Sequence, residues 1–380
     1  MKIGIFTYHH ANNYGAYLQA CALCNRLNEE KGLDVEIIDF VMKKELKFYS
    51  LLAKRIIRHP RSFIKNLYFQ TKLNYAFKKA RRAPIMKLSN IKMRSDSISD
   101  FTNLVYGKYD VIIVGSDEIW KLDGYRGFPT PYWLFGDLKC RKFSYAASSR
   151  SDFSKLDNEQ KNILIQNLQE YEYIGVREKK TADSLKKLLG NEKEVHVCCD
   201  PTFLYDFPIR EISIKELLNN KAKIDSKKKT IVVMTEDIKI ARKIREVFGK
   251  DYNLVSVFHR QKGYQNVSSL LPLEWVEVIK NAELFVTTYF HGTCFSIINE
   301  TPFITFRSEA RSSKIDSLFE EMDDLRDRYI LYRDEFLEKT DFKDVVINKM
   351  ESINTEKYIA SLRNEFEKFV DVLNNVEKDK

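Results

Sequence analysis

Short apolar runs alternate with helical patterns along almost the whole chain, and this alternation narrows the fold more than any other feature. Ten runs read as strands, at residues 3–7, 35–40, 110–114, 143–147, 173–176, 195–199, 230–235, 254–258, 284–288 and 303–306. Runs of this kind, separated by helix-length segments, predict an α/β fold with mainly parallel sheets covered by helices on both faces. At 380 residues the chain is too long for one ordinary core, so two domains are expected. The segment 200–208, which contains proline and precedes a charged stretch, is the expected junction. It divides an N-terminal domain, 1–205, from a C-terminal one, 206–340, with one or two amphipathic helices in 341–380.

The six cysteines have no paired spacing that would build a disulfide framework, which fits a reducing compartment. Cys21 and Cys24 form a CxxC inside a helical stretch, where Leu18 and Leu27 extend the same apolar face. That pattern reads as core packing rather than a redox or metal site. Cys198 and Cys199 read as part of a buried strand. No run reaches the ~18 apolar residues that span a bilayer. The chain opens on a strand, MKIGIFTY, so a cytoplasmic protein without a signal peptide is expected. A net charge of +9 favours anionic partners.

That charge is concentrated in an insertion, residues 43–90. Between 43 and 87 there are fourteen Lys or Arg and one acid, Glu45, with aromatic and aliphatic residues interleaved. A basic amphipathic helix pair suits an anionic membrane face or a pyrophosphate-bearing lipid. The competing reading is a solvated face over a packed helix pair. No RNA- or DNA-binding signature is present, and nucleic acid is not an expected partner.

Polar residues gather where strands end. Residues 284–297 run from a buried strand through Thr287, Thr288 and Tyr289 to His291, Gly292 and Thr293 at the start of a helix. A strand that delivers polar groups to a helix N-terminus is where α/β proteins hold an anion. After the first strand, Asn12, Asn13 and Gly15 make a polar turn suited to anions or sugar hydroxyls. Ser116 and Asp117 end another strand, and Trp120 offers either an apolar face for a sugar ring or an ordinary core side chain. Arg177 ends a further strand. It can grip a carboxylate or phosphate with two parallel hydrogen bonds, or close a salt bridge to a nearby acid. His9 and His10 read as part of a polar loop near the site, and no metal is expected.

Six segments taken in order, NYGAYLQA, VGSDEIWK, YAASS, GVREK, DPTFL and YFHGTCFSI, resemble the polysaccharide pyruvyl transferase family. Its members carry NYGAxLQA, GSDQxWN, YAxS, REK, DPTxL and SFHGxxFSI. The resemblance implies two Rossmann-like domains in a GT-B-like arrangement with the active site in the interdomain cleft. It also implies transfer of a pyruvyl group from phosphoenolpyruvate to two hydroxyls of a sugar, forming a ketal and releasing phosphate, without metal or organic cofactor. His291 would be the general acid, and Arg177 would hold the donor. Gly292, Thr293, Tyr289, Lys314 and Ser116 would also line the donor. Asn12, Asn13, Tyr14, Asp117, Glu118 and Trp120 would face the acceptor, a sugar carried on a polyprenyl pyrophosphate at the inner face of the membrane.

The chain departs from the family pattern at two places. Tyr289 stands where some members have an arginine, so a second cation must come from Arg307, Arg311 or Lys314. Glu118 replaces the glutamine of GSDQ and could act as a base toward the acceptor. The alternative function is a GT-B-type glycosyltransferase with a nucleotide-sugar donor. A third is a non-catalytic scaffold that docks on membrane through residues 43–87.

Overall fold

The computed structural model describes all residues except 49–59, 191–192, 309–311, 321 and 379–380. The chain divides into two units. The first comprises Met1–Arg58, Ala83–Tyr205 and Ala360–Lys380, and the second His59–Arg82 and Asp206–Ile359.

The first unit is built on strands β1 (Lys2–Phe6), β2 (Asp34–Val41), β3 (Leu88–Arg94), β4 (Val111–Val114), β5 (Arg141–Ala147), β6 (Tyr171–Val176) and β7 (His196–Val197). They pair in the order β3-β2-β1-β4-β5-β6-β7, all parallel. The second unit contains β8 (Thr230–Met234), β9 (Asn253–Val257), β10 (Gln265–Val267), β11 (Leu284–Thr287), β12 (Phe303–Phe306) and β13 (Tyr329–Ile330). Their order is β10-β9-β8-β11-β12-β13, again all parallel. The fold class is the expected one, α/β with two Rossmann-like units. In each sheet the strand order reverses once, between β1 and β4 and between β8 and β11. Open parallel sheets hold their ligands at that reversal, beyond the carboxyl ends of the strands.

The central strands β4, β8, β11 and β12 are buried at every residue, as a sheet covered on both faces requires. Three strands were not anticipated, β3, β10 and β13, and all three are sheet edges. The core of the first unit is aromatic. Phe6 stacks on Phe101 at 4.3 Å and on Tyr132 at 4.4 Å, and Trp120 stacks on Trp133 at 4.8 Å. Such pairs add about 0.5–1.5 kcal/mol each beyond the area they bury. The core of the second unit is mainly aliphatic, with Ile231, Val233, Ile244, Leu284, Val286 and Ile304 among its members.

The C-terminal segment 341–380 is divided between the units rather than standing apart. The helix Phe342–Asn348 belongs to the second unit, whereas residues from Ala360 onward belong to the first. There Phe369 packs 4.8 Å from Tyr145 and 5.0 Å from Tyr173, and Phe366 lies 5.3 Å from Tyr145.

In the basic insertion, the helix Pro60–Ala80 belongs to the second unit. It buries Phe69, Leu73, Ala76, Phe77 and Ala80, one face at helical spacing. Residues 49–59 of the expected helix pair lie outside the described residues. Glu45, the single acid of the insertion, is fully buried in the first unit and pairs with Arg126 at 2.7 Å.

Cys21 and Cys24 are fully buried in the helix Tyr14–Asn28, and burial pushes both thiols up, that of Cys24 to about 12. They are core residues. Among the described residues no helix is long and apolar enough to cross a membrane, and no group of three His, Cys, Asp or Glu could hold a metal ion.

Candidate active site

In the second unit, β11 ends at the point where the strand order reverses. Its continuation, Thr288 and Tyr289, leads into the helix Phe290–Ile298, whose N-cap is Tyr289 in an extended conformation. The strand end is fixed by hydroxyls. Thr287 donates to the Met234 carbonyl at 3.2 Å, and Thr288 bonds the Thr235 hydroxyl of the neighbouring β8 loop at 3.2 Å. His291 therefore stands in the first helical turn, half-buried, where the N–H groups have no carbonyl partner within the helix. That turn carries partial positive charge, which favours an anion beside the imidazole.

Tyr289 and His259 form a second feature of this site. The His259 ring nitrogen Nε2 hydrogen-bonds the Tyr289 hydroxyl, and the two rings stack at 5.4 Å. His259 follows β9, on the same carboxyl edge of the sheet. Sequence reasoning passed over it, although its position just beyond a strand was the available signal. Thr235, just beyond β8, was missed for the same reason.

The neighbouring positions are more structural than expected. Gly292 is required because a Cβ there would lie 2.6 Å from the Thr287 hydroxyl, so it serves helix-to-strand packing. The Thr293 N–H donates to the Tyr289 carbonyl at 3.1 Å, and its hydroxyl pairs with Thr305 at 2.7 Å. Both groups are spent on the helix start, which corrects the reading of Thr293 as a phosphate contact. Among the candidates for a second cation, Arg307 pairs with Asp316 at 3.3 Å, and Lys314 is half-buried on the helix Ser312–Glu320. Arg311 lies outside the described residues.

In the first unit the motif segments interlock at the reversal between β1 and β4. Gln19, fully buried in the first helix, donates to the Thr7 hydroxyl at 3.1 Å and accepts from the Ser116 N–H at 3.3 Å. Thr7 in turn donates to the Ser116 carbonyl at 3.0 Å. The LQA of the first motif thus clamps the GSD of the second. Gly115 has φ +130°, and a Cβ there would fall 2.0 Å from the Tyr145 carbonyl oxygen. Only glycine fits. The Ser116 side chain is fully buried, and Asn13 caps the first helix by accepting from the Ala16 N–H at 3.2 Å. Asn12 is half-buried beside it.

Arg177 lies among three carboxylates: Asp200 at 2.6 Å, Glu178 at 3.3 Å and Asp117 at 3.7 Å. Its side chain is 4% exposed. Burial opposes its charge, but Glu178, Asp200 and Asp117 outweigh that and hold its pKa above the ordinary value. The salt-bridge reading thus displaces the expectation that Arg177 grips the donor. Asp200, read from sequence as part of a hinge, is an anchor of this cluster. Ser148 donates to Glu178 at 2.6 Å, and Thr181 donates to the Ser149 carbonyl at 2.9 Å, tying YAASS to REK.

Three acceptor assignments change. Trp120 is fully buried, stacked on Trp133, and its indole N–H donates to the Tyr132 carbonyl at 3.0 Å, so it is a core residue. Tyr14 is likewise fully buried. Glu118 pairs with Arg150 at 2.7 Å, which engages the carboxylate expected to serve as a base. Asp117 stays half-buried at the strand end, with φ +81°. His9 and His10 face buried acids, with His9 3.3 Å from Asp39 and His10 3.7 Å from Glu45.

Among solved structures the chain is similar to the UDP-GlcNAc 2-epimerase of Neisseria meningitidis bound to UDP-GlcNAc. The TM-score is 0.56 at 11% identity, over 99% of this chain and 100% of that one. The UDP-GlcNAc 2-epimerase of Methanocaldococcus jannaschii gives a TM-score of 0.50 at 14% identity, over 92% and 91% of the two chains. At these identities the likeness is one of fold, in the GT-B-like class. No curated protein matches the chain. The model of the family described as polysaccharide pyruvyl transferase matches residues 13–309, which takes in all six motif segments whole. The chain belongs to the polysaccharide pyruvyl transferase family.

Proposed function

We propose that the protein transfers a pyruvyl group from phosphoenolpyruvate to two hydroxyls of a sugar in a surface polysaccharide or its lipid-linked precursor. The observation that carries this reading is the position of His291, at the strand-order reversal of the second sheet and in the first turn of a helix. In the proposed reaction His291 gives its proton to the methylene carbon of the donor, leaving a cation at C2. A sugar hydroxyl attacks C2, the bond to the phosphate oxygen breaks, and a second hydroxyl closes the ketal. Two hydroxyl protons are released. One restores His291 and the other leaves with phosphate, so the acid is regenerated in each turnover.

The helix start suits the donor's phosphate, and Lys314 is the candidate cation for its carboxylate. Asp117 and Asn12, polar and half-buried in the first unit, suit a neutral sugar better than an anion. Arg177 is then a positioning residue, which holds Asp117 and the strand ends in place. In this reading no metal or organic cofactor takes part.

Purified protein incubated with phosphoenolpyruvate and lipid-linked or free sugar acceptors should release phosphate and add the mass of a pyruvate ketal. His291→Ala should lower turnover at least ~10²-fold, the usual contribution of a general acid. Near-normal turnover in that variant would remove His291 from the mechanism. Sugar transfer from a nucleotide sugar, with no response to phosphoenolpyruvate, would instead establish the glycosyltransferase reading.

A further inference from the structure

Toward the β10 edge of the second sheet lies a cavity of about 200 Å3 that the proposed reaction does not use. Tyr68 and Lys72 of the helix Pro60–Ala80 line one side, Lys221 and Arg260 contribute two more cations, and Ser268 and Ser269 add hydroxyls at the end of β10. Among the described residues no carboxylate lines it. Lys221 is partly answered from outside by Glu274 at 2.6 Å, and the Lys72 ammonium sits 4.4 Å from the centre of the Tyr68 ring. The turn that carries Arg260 is held open by Asn266, whose amide donates to the carbonyls of Gln261 and Tyr264 at 2.9 and 2.8 Å.

Three cations around one small cavity, two of them exposed, favour a multiply charged anion between them. Arginine can hold two phosphate oxygens through its planar fork, whereas lysines act as point charges on the others. The organic part of the ligand is indicated by the helix itself. Tyr68 and Tyr75 are 62% and 71% exposed, and Lys72 and Lys79 continue the same face at one-turn spacing. Alternating aromatic and basic side chains on an exposed helical face suit an apolar chain that ends in a charged group.

We propose that this cavity binds the diphosphate of a prenyl-type lipid diphosphate, with the Tyr68–Tyr75 face beside the first part of the chain. The site rests on the pyruvyl-transfer reading only for the statement that such a lipid carries the acceptor sugar; its binding is independent of that reaction.

Calorimetric titration of the full-length protein with inorganic pyrophosphate, a short-chain prenyl diphosphate, the matching prenyl monophosphate, UDP and phosphoenolpyruvate tests it. The prenyl diphosphate should bind more tightly than pyrophosphate, the monophosphate or UDP. In the exposed double variant Lys72→Gln/Arg260→Gln its affinity should fall at least ~10-fold, since each lost bond joins charged partners. Phosphoenolpyruvate binding and turnover of a lipid-free acceptor should not change, which also shows that the variant is folded. An unchanged prenyl diphosphate affinity in the variant, tighter binding of UDP, or no diphosphate binding at all would overturn the site. Intact diphosphate binding with no turnover of phosphoenolpyruvate would overturn the reaction and leave the site standing.

Discussion

Tyr289 sets a hydrogen-bonded ring pair beside His291 where a second cation was expected. Where an arginine would bring fixed charge, this chain has a phenol bonded to His259, a group whose own charge depends on pH. The pair is expected to act as one element next to His291. Tyr289→Phe and His259→Asn should each lower kcat/KM for phosphoenolpyruvate by roughly 10-fold, the loss of one hydrogen bond to a charged group. The double variant should be little worse than either single one, because both remove the same interaction. A pH profile that loses the same limb in both variants would confirm the coupling. Additive losses with an unchanged profile would mean that the two side chains only pack together.

At the scale of elements, the proposed chemistry falls to the strand ends and the helices that follow them, and glycine marks where they come too close for a side chain. Gly115 and Gly107 give a direct contrast. Both have positive φ, +130° and +64°, but an added Cβ meets the Tyr145 carbonyl at Gly115 and nothing at Gly107. Gly107→Ala should cost about 1 kcal/mol, the strain of the left-handed region alone. Gly115→Ala should cost roughly 3 kcal/mol or more, because backbone must move as well, and urea unfolding would separate the two.

The same scale explains what could be read in advance. Interior strands such as β4 and β11 are unbroken apolar runs, visible without a structure. The edges β3 and β10, with the sequences LSNIKMR and QNV, have one side free of neighbours and so need no such run. Polar residues at strand ends were equally visible, and they led to His291. Which of them face inward was not legible. The burial of Trp120 and the carboxylates around Arg177 depend on contacts between segments far apart in the chain. His259 was hidden because its partner is 30 residues away, on a different strand.

Across the whole molecule, the buried Asp39 cluster is expected to shape the response to acid. Asp39 is 4% exposed, and burial alone would raise its pKa. Hydrogen bonds from His9 and Arg94, with their charges, more than offset this and hold it at about 2 against an ordinary 3.8. A carboxyl whose folded pKa is depressed stabilises the fold above its unfolded pKa, and that contribution is lost as pH falls through the folded value. The window is therefore about pH 4 down to 2, and the contribution is about 2 kcal/mol. Denaturant unfolding of Asp39→Asn should show a stability curve that is flatter across that window than the native protein's. Equal slopes would show that other groups set the acid limit.

The helix Glu356–Lys378 imposes an order on biosynthesis. Phe366 and Phe369 are buried in the first unit, against strands β5 and β6, which are translated some two hundred residues earlier. Vectorial folding normally completes the N-terminal domain first. Here β5 and β6 are made long before that helix, and Tyr145 and Tyr173 lack its aromatic cover until it is translated. The unit begun first is completed only by a helix made after the second unit, and until then its aromatic surface is what a chaperone would have to guard.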